Sequence, residues 1–470
     1  MKHLLYLLML LLALCLQPVG AQDGDDDSDD IIEGDDSGGM SEEDAEEIRK
    51  RNSGLAGGGA GRDDDAFAPK IKGSLQEAVN KAIKNGVAWL KERQNKDGSW
   101  APVTANRDYV TGKVGATRVR DGTGPTAFAL YALAKCGVSK KDPAIKKGLA
   151  WLTSKPKYVN GQDPKIKVSS GWYAGKAWDQ TGDKRFYQST PYESAAVVLM
   201  IEAVFTKSQK NTRGHRKRKL STDNPRSPPT GSKIPKKMWQ WMHERIVWLT
   251  TGIRGKRTIK GCQTPNGGWR YGQAGGGEDL SSTQFVLLAL RAASQAGYPV
   301  EKTQPNAWQW AAKFIKACQR SNGGFAYDRK APKTSGSMTA CGIASLVICK
   351  EQMALAGQPV PGWMDDSIKK GLDHLDTIFV AGGNPGGGEG GATAHHYYYL
   401  YGVERVGDLT GRSEFNKKNW YLRGANVLIP AQAPDGMWTD RTAFAPQDVL
   451  GTCYALLFLK RATPPTVTAR

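Results

Sequence analysis

Between residues 74 and 460 the chain alternates two kinds of helical stretch. In the first kind apolar positions recur every three or four residues. Within 74–93 they fall mainly at Leu75, Val79, Ile83, Val87 and Leu90, a single stripe on an otherwise polar helix. In the second kind most positions are apolar, at 125–136, 194–205, 283–296, 339–349, 395–406 and 449–459. A helix apolar on every side is buried on every side, so the pattern predicts two layers. Six alternations predict an all-α fold, an α/α toroid of six helical hairpins with six outer helices ringed around six inner ones. An open solenoid of helix pairs has the same repeat. It would need a polar face on its terminal inner helices, and 449–459 has none.

A second repeat is superposed on the first. The segment from Lys84 through Gly86, Trp89, Leu90, Gln94, Asp97 and Gly98 to Trp100 sets a template of helix, Gln, Gly turn and aromatic. It recurs with Gln263, Gly267 and Trp269, with Gln319, Gly323 and Phe325, and with Gln432, Gly436 and Trp438. Lys147 to Leu152 and Lys370 to Leu375 keep only the helix half. That makes six units. The pattern K/R-G-x-x-W/F-L…Q-x-x-x-G-x-W resembles the QW motif of the squalene–hopene cyclase and protein prenyltransferase β-subunit superfamily, over about 74–462. The resemblance implies a structural role for Gln94, Gln263, Gln319 and Gln432, with Trp100, Trp269, Phe325 and Trp438: the amide ties helix ends and the ring lies over it.

The chemistry that the resemblance implies lacks its residues. Cyclisation in that superfamily uses an Asp-x-Asp-Asp cluster holding a protonated acid. The body offers only Glu278-Asp279, before an inner helix, and Asp365-Asp366, at an outer-helix start where the macrodipole favours negative charge. Protein prenyltransfer uses a zinc ion on Asp, Cys and His. Thr339-Ala340-Cys341 resembles the Asp-x-Cys position without its Asp, and Gly451 stands at the His position, so no metal site and no cofactor is expected. Cys341-Gly342-Ile343-Ala344 lacks the Gln of a thioester toroid. Gly275-Gly276-Gly277 lacks the Gly-Lys-Ser/Thr ending of a phosphate loop.

The polar exception among the inner stretches is His395-His396-Tyr397-Tyr398-Tyr399-Leu400-Tyr401. His395 and His396 are candidate acid–base groups, with Glu193, Glu278, Asp279 and Asp448 near other inner-helix starts as carboxylate partners. Tyr397, Tyr399 and Tyr454 are candidate ligand contacts. Adjacent tyrosines cannot all face one cavity, so some must pack between layers.

Charge and composition narrow the setting. With 39 % hydrophobic residues and 14 Trp in 470 residues the chain has a core, which excludes wholesale disorder. No apolar run reaches the roughly 18 residues that span a bilayer, so it is not expected to be integral to a membrane. Residues 1–21 read as a signal peptide cut near Ala21, which predicts export to the periplasm, cell envelope or exterior. Residues 22–66 read as an acidic disordered segment, 67–462 as the toroid and 463–470 as a tail. Seventeen acidic residues between Asp23 and Asp65 face four basic ones. Setting these and Lys2 apart from the overall +19 leaves +31 on residues 66–470. A basic, Pro-rich loop insertion at 207–237 carries 11 Lys and Arg against one Asp. Its basic run has no interleaved aromatic for base stacking, so nucleic acid is not expected. Cys136, Cys262, Cys318, Cys341, Cys349 and Cys453 form no C-x-x-C pair. Export permits disulfides between them, while apolar surroundings suit buried thiols.

Three function classes follow. The first is a squalene-cyclase-like toroid that binds an apolar or isoprenoid-like ligand, or an envelope partner such as an anionic polymer or lipid, without the superfamily's standard catalysis. The second is a carbohydrate-active lyase or hydrolase acting on an acidic polysaccharide. The third is a divergent terpenoid cyclase with Asp448 as its acid.

Overall fold

A computed structural model of the protein describes residues 74–100, 103–104, 118–119, 123–153, 191–206, 223–251, 253–254, 257–258, 263–270, 277–441 and 446–461. The expected signal peptide at 1–21, the acidic segment at 22–66, the tail at 463–470, Cys262 and the 207–222 part of the basic insertion lie outside the described residues.

Twelve helices carry the fold. The outer six are α1 (Leu75–Glu92), α3 (Pro143–Thr153), α5 (Lys236–Thr251), α7 (Ala307–Cys318), α9 (Trp363–Ile378) and α11 (Trp420–Ala431). The inner six are α2 (Thr123–Lys135), α4 (Pro191–Phe205), α6 (Leu280–Gln295), α8 (Gly336–Leu355), α10 (His396–Thr410) and α12 (Asp448–Lys460). Among the described residues the strands are two-residue antiparallel pairs. Each inner helix packs on the next, from α2 to α4, α6, α8, α10 and α12, and α12 packs back on α2. The ring is closed, an all-α toroid.

Burial follows the two patterns. In α6 every residue from Leu280 to Ser294 is buried, whereas α1 buries Val79, Ala82, Gly86, Trp89 and Leu90 on one face. A fully buried Leu, Ile or Val contributes about 1.5–3 kcal/mol, so the inner layer holds most of the hydrophobic stabilisation. Helix ends are fixed locally. Ser74 and Glu77 form a reciprocal capping box at α1, and the Ser335 side chain accepts from Met338 N at α8. That cap starts α8 three residues before the expected 339 and gives it 20 residues. By length and composition α8 could cross a bilayer, contrary to the expectation that no such run exists. Its Gly, Ser, Thr and Cys residues interrupt the apolar run, and most of it is buried inside the ring. The basic insertion ends earlier than expected, because Lys236 and Lys237 already belong to α5. Within it Ile234 is buried, and Trp239 Nε1 donates to Pro225 O at 2.9 Å.

The Gln–turn–aromatic repeat forms four ties of one geometry. Gln94 Nε2 donates to Gly98 O in its own turn and to Ala144 O on the next outer helix, both at 2.9 Å. Gln263 joins Gly267 O (2.9 Å) to Ala307 O (2.8 Å), and Gln319 joins Gly323 O to Ser367 O, both at 2.9 Å. Gln432 joins Gly436 O to Ala82 O, both at 3.0 Å, which ties the last outer helix to the first. The Trp100, Trp269 and Trp438 indoles each donate back to their own outer helix, at Leu90 O, Leu249 O and Leu428 O, all at 2.7 Å. The backbone N–H groups of Trp100, Trp269, Phe325 and Trp438 donate to Thr126, Thr283, Thr339 and Thr452 on the inner helices. One turn therefore holds two outer helices and one inner helix. It needs glycine: at Gly267, φ is +102° and a Cβ would stand 2.0 Å from Trp310 O.

Candidate functional site

The starts of the inner helices gather the candidate acids and bases; the described carboxylates and His396 are engaged with neighbouring groups, while His395, among the described residues, meets only the edge of the Tyr398 ring. Asp279 caps α6, its Oδ1 accepting from Ser282 N at 2.6 Å and its Oδ2 from Ser282 Oγ at 2.9 Å. Glu278 accepts from Thr264 Oγ1 (2.6 Å), Asn266 Nδ2 (2.9 Å) and Arg329 Nη2 (3.3 Å), which binds two loops together. Asp448 accepts from Thr439 Oγ1 at 2.8 Å. Glu193 is wholly buried in the first turn of α4, and its charge acts on the buried Arg245 of α5.

The first turn of α10 is held from outside. His395 has a left-handed backbone (φ 54°) and gives no side-chain cap. Asp440, on the loop before α12, supplies it instead: its Oδ1 and Oδ2 accept from Tyr397 N and Tyr398 N, both at 3.1 Å. His396 Nε2 lies 2.7 Å from Ala381 O. A carbonyl only accepts, so Nε2 carries the proton. Burial pulls the His396 pKa down to about 4, with the Ala381 hydrogen bond opposing it, so the ring is neutral at physiological pH. A neutral imidazole donating to a backbone carbonyl holds a loop in place.

The middle of the ring is bridged by side chains from alternate helices, which can meet only across the axis. Tyr398 on α10 is the hub. Its hydroxyl is 2.9 Å from Ser281 Oγ on α6, accepts from Gln284 Nε2 at 2.5 Å and lies 3.2 Å from Cys341 Sγ on α8. Ser281 also accepts from Tyr192 OH of α4 at 2.6 Å. The Tyr398 ring stacks on Phe285 at 6.0 Å and leans on Tyr454 at 5.6 Å, and Phe128 meets both Phe285 and Tyr454. One turn further along α10, Tyr401 OH is 3.5 Å from Tyr131 OH of α2. Burial pushes the Tyr131, Tyr398 and Tyr401 hydroxyls up, and the Cys341 thiol up to about 11, so all four are neutral near pH 7.

Beyond this network, toward the C-terminal ends of the inner helices, ion pairs replace neutral hydrogen bonds. Lys135 Nζ meets Glu202 Oε2 at 2.9 Å, and Arg291 Nε meets Glu351 Oε2 at 2.6 Å. A recess of about 20 Å³ lies there, lined by Tyr131, Lys135, Glu202, Arg291 and Tyr401 among others. It is large enough for roughly one water molecule.

Of the candidate ligand contacts, Tyr454 belongs to the central cluster, Tyr397 packs against His396 at 5.3 Å, and Tyr399 lies beside Gly336. The hub residues Tyr398, Ser281 and Gln284, the tyrosine pair Tyr131 and Tyr401, and the cap Asp440 were missed by sequence reasoning. The spacing of Tyr398, Tyr401 and Arg405 along one helix face was the signal that could have found three of the lumen residues. Thr339, read as a lost Asp, fills the same role as Thr126, Thr283 and Thr452. Among the described residues no three His, Cys, Asp or Glu side chains gather in metal-holding geometry.

This architecture is that of an α/α-toroid protein. Residues 70–162 match the family model for the squalene-hopene cyclase C-terminal domain, and residues 249–371 match that for the prenyltransferase alpha-alpha toroid domain. Together these matches support the terpenoid cyclase/prenyltransferase-like superfamily for this chain. A similar solved structure is the type II terpene cyclase MstE from Scytonema in its apo form, with 12 % identity and a TM-score of 0.44 over 83 % of this chain and 98 % of that one. No curated protein matches.

Proposed function

We propose that this chain is an exported, cyclase-like toroid that binds an anionic component of the cell envelope on its surface and does not carry out the superfamily's acid-driven or zinc-driven chemistry. The observation that carries this reading is the bridged lumen. The Tyr192–Ser281–Tyr398–Gln284 network and the Phe128, Phe285 and Tyr454 rings occupy the axis where an isoprenoid would lie. The recess beside them is far smaller than the roughly 300–1,000 Å³ of ordinary ligand pockets. The structural duties of Asp279, Glu278, Asp448 and His396 support the same reading, because an acid catalyst must be free to give its proton. The +31 charge on residues 66–470 supplies long-range attraction to an anionic surface.

The test has two arms on the exported protein. In co-sedimentation, phosphatidylglycerol vesicles should retain it and phosphatidylcholine vesicles should not, with retention lost between about 0.05 M and about 1 M salt. Equal behaviour on both vesicles would remove the anionic partner. Incubation with squalene or a prenyl diphosphate should leave the substrate unchanged, and any cyclised or transferred product would overturn the non-catalytic reading.

A further inference from the structure

Arg405 sits on the lumen-facing stripe of α10, seven residues after Tyr398 and four after Tyr401. It is wholly buried, and its Nε, Nη1 and Nη2 make no well-formed hydrogen bond, the Tyr401 hydroxyl being the polar group that comes nearest to one. Its guanidinium lies over the Tyr401 ring, with Cζ 4.0 Å from the centroid. Helical side chains lean toward the helix N-terminus, and here the lean is accommodated by Gly402, where a Cβ would stand 3.6 Å from Arg405 Nη2 and 3.0 Å from Ala340 Cβ. The fork is thereby brought near enough to the Tyr398 hub for each to act on the other's charge.

Among the described residues, what surrounds it does not neutralise it. The groups acting most strongly on its charge, after burial itself, are Tyr401, Cys341, Tyr398 and Glu404. The tyrosines and the thiol are neutral near pH 7. Glu404 is buried, but it makes no hydrogen bond to Arg405, and its field also reaches Arg461, Tyr131 and Tyr421. The other basic groups at this end, Lys135 and Arg291, already have their own carboxylates. A guanidinium offers five N–H donors and stays protonated. Burying it with none of them in a well-formed hydrogen bond is strongly unfavourable, whereas the contact with Tyr401 returns only a small part of that.

We infer that the lumen holds a monovalent anion, a halide or a carboxylate, bound to Arg405 between α8 and α10. This site stands apart from the surface reading above and survives or fails without it. Its ligand completes the packed interior and takes no part in a reaction.

The experiment uses the whole mature protein. In crystals grown with sodium bromide, an anomalous peak within hydrogen-bond reach of Arg405 would establish the halide form. Native mass spectrometry that finds an acidic adduct on the wild type and none on Arg405→Met would establish the carboxylate form. In solution, for the halide form, exchanging gluconate, whose carboxylate is carried on a chain too bulky for a packed interior, for bromide at constant ionic strength should raise the wild-type unfolding midpoint by a few degrees, and Arg405→Met should show no such rise. Met keeps the length of the side chain without its charge, and removing an unpaired buried charge favours folding. If the variant nonetheless fails to fold, the wild-type bromide map decides. Water alone at Arg405, with midpoints identical in both anions, overturns the inference.

Discussion

The outer wall and the lumen of this ring are built on opposite rules. In the wall the same tie appears four times, with Gln amide, turn carbonyl, aromatic ring and inner-helix Thr in matching places, and its distances repeat within about a tenth of an ångström for the Gln bonds within the turns. In the lumen nothing repeats. The six inner helices contribute different groups to the axis, among them Phe128 and Tyr131, Tyr192, Ser281 and Gln284, Cys341, Tyr398, and Tyr454. Repetition in the wall makes the hairpins interchangeable and closes the circle. Its absence inside makes each helix individual.

If that division is right, substitutions should separate into two classes. The largest effect is expected in the wall. Gly267→Ala should destabilise by about 3 kcal/mol or more in urea unfolding, because a left-handed backbone and a carbonyl contact both oppose the new methyl. A near-neutral result would mean that the turns are not the fixed part.

The next effect is at the start of an inner helix and is read by pH. The folded His396 pKa of about 4 lies below the usual value near 6.5, so the unfolded chain takes up the proton first. The His396 contribution is therefore complete above about pH 6.5, declines as pH falls toward 4 and levels off below. At most it amounts to about 3 kcal/mol. His396→Gln, which keeps a donor for Ala381 O, should remove that part of the acid slope, and an unchanged difference curve would show the ring free to charge in the fold.

Within the lumen, Tyr398→Phe removes the hydroxyl shared by Ser281, Gln284 and Cys341 and should cost about 2 kcal/mol, without altering the denaturant slope. The comparison is sharpest in the smallest effect. Gln432→Ala and Gln319→Ala should each cost about 1–2 kcal/mol and agree with one another, since the closing tie and an internal tie have the same bonds. A costly Gln319→Ala beside a silent Gln432→Ala would show a ring open between α11 and α1.

The wall was legible in the sequence because it repeats. Gln94, Gln263, Gln319 and Gln432 announce themselves by their spacing to Gly and an aromatic, and the alternation of one-sided and all-apolar helices gives both layers. The inner-helix Thr residues repeat as well, but a single Thr among apolar neighbours has no signature until its acceptor role toward Trp100 or Phe325 is seen. The lumen was harder to read. That Tyr131 meets Tyr401, 270 residues away, depends on the circle bringing α2 and α10 to either side of α12, and no local periodicity encodes it. The acids at 193, 278, 279 and 448 drew attention as chemistry because charge near an inner-helix start is conspicuous. Their partners, such as Thr264 and Arg329 for Glu278, come from separate turns. Asp440 went unnoticed because its service is to a neighbouring helix.

The bond from Gln432 to Ala82 also means that the order of the hairpins in the gene is a matter of history, not mechanics. A permuted chain that begins in the short turn between α2 and α3 and passes from α12 into α1 through a linker would keep every amide clasp around the circumference. Its seam would simply move to a different place on the wheel.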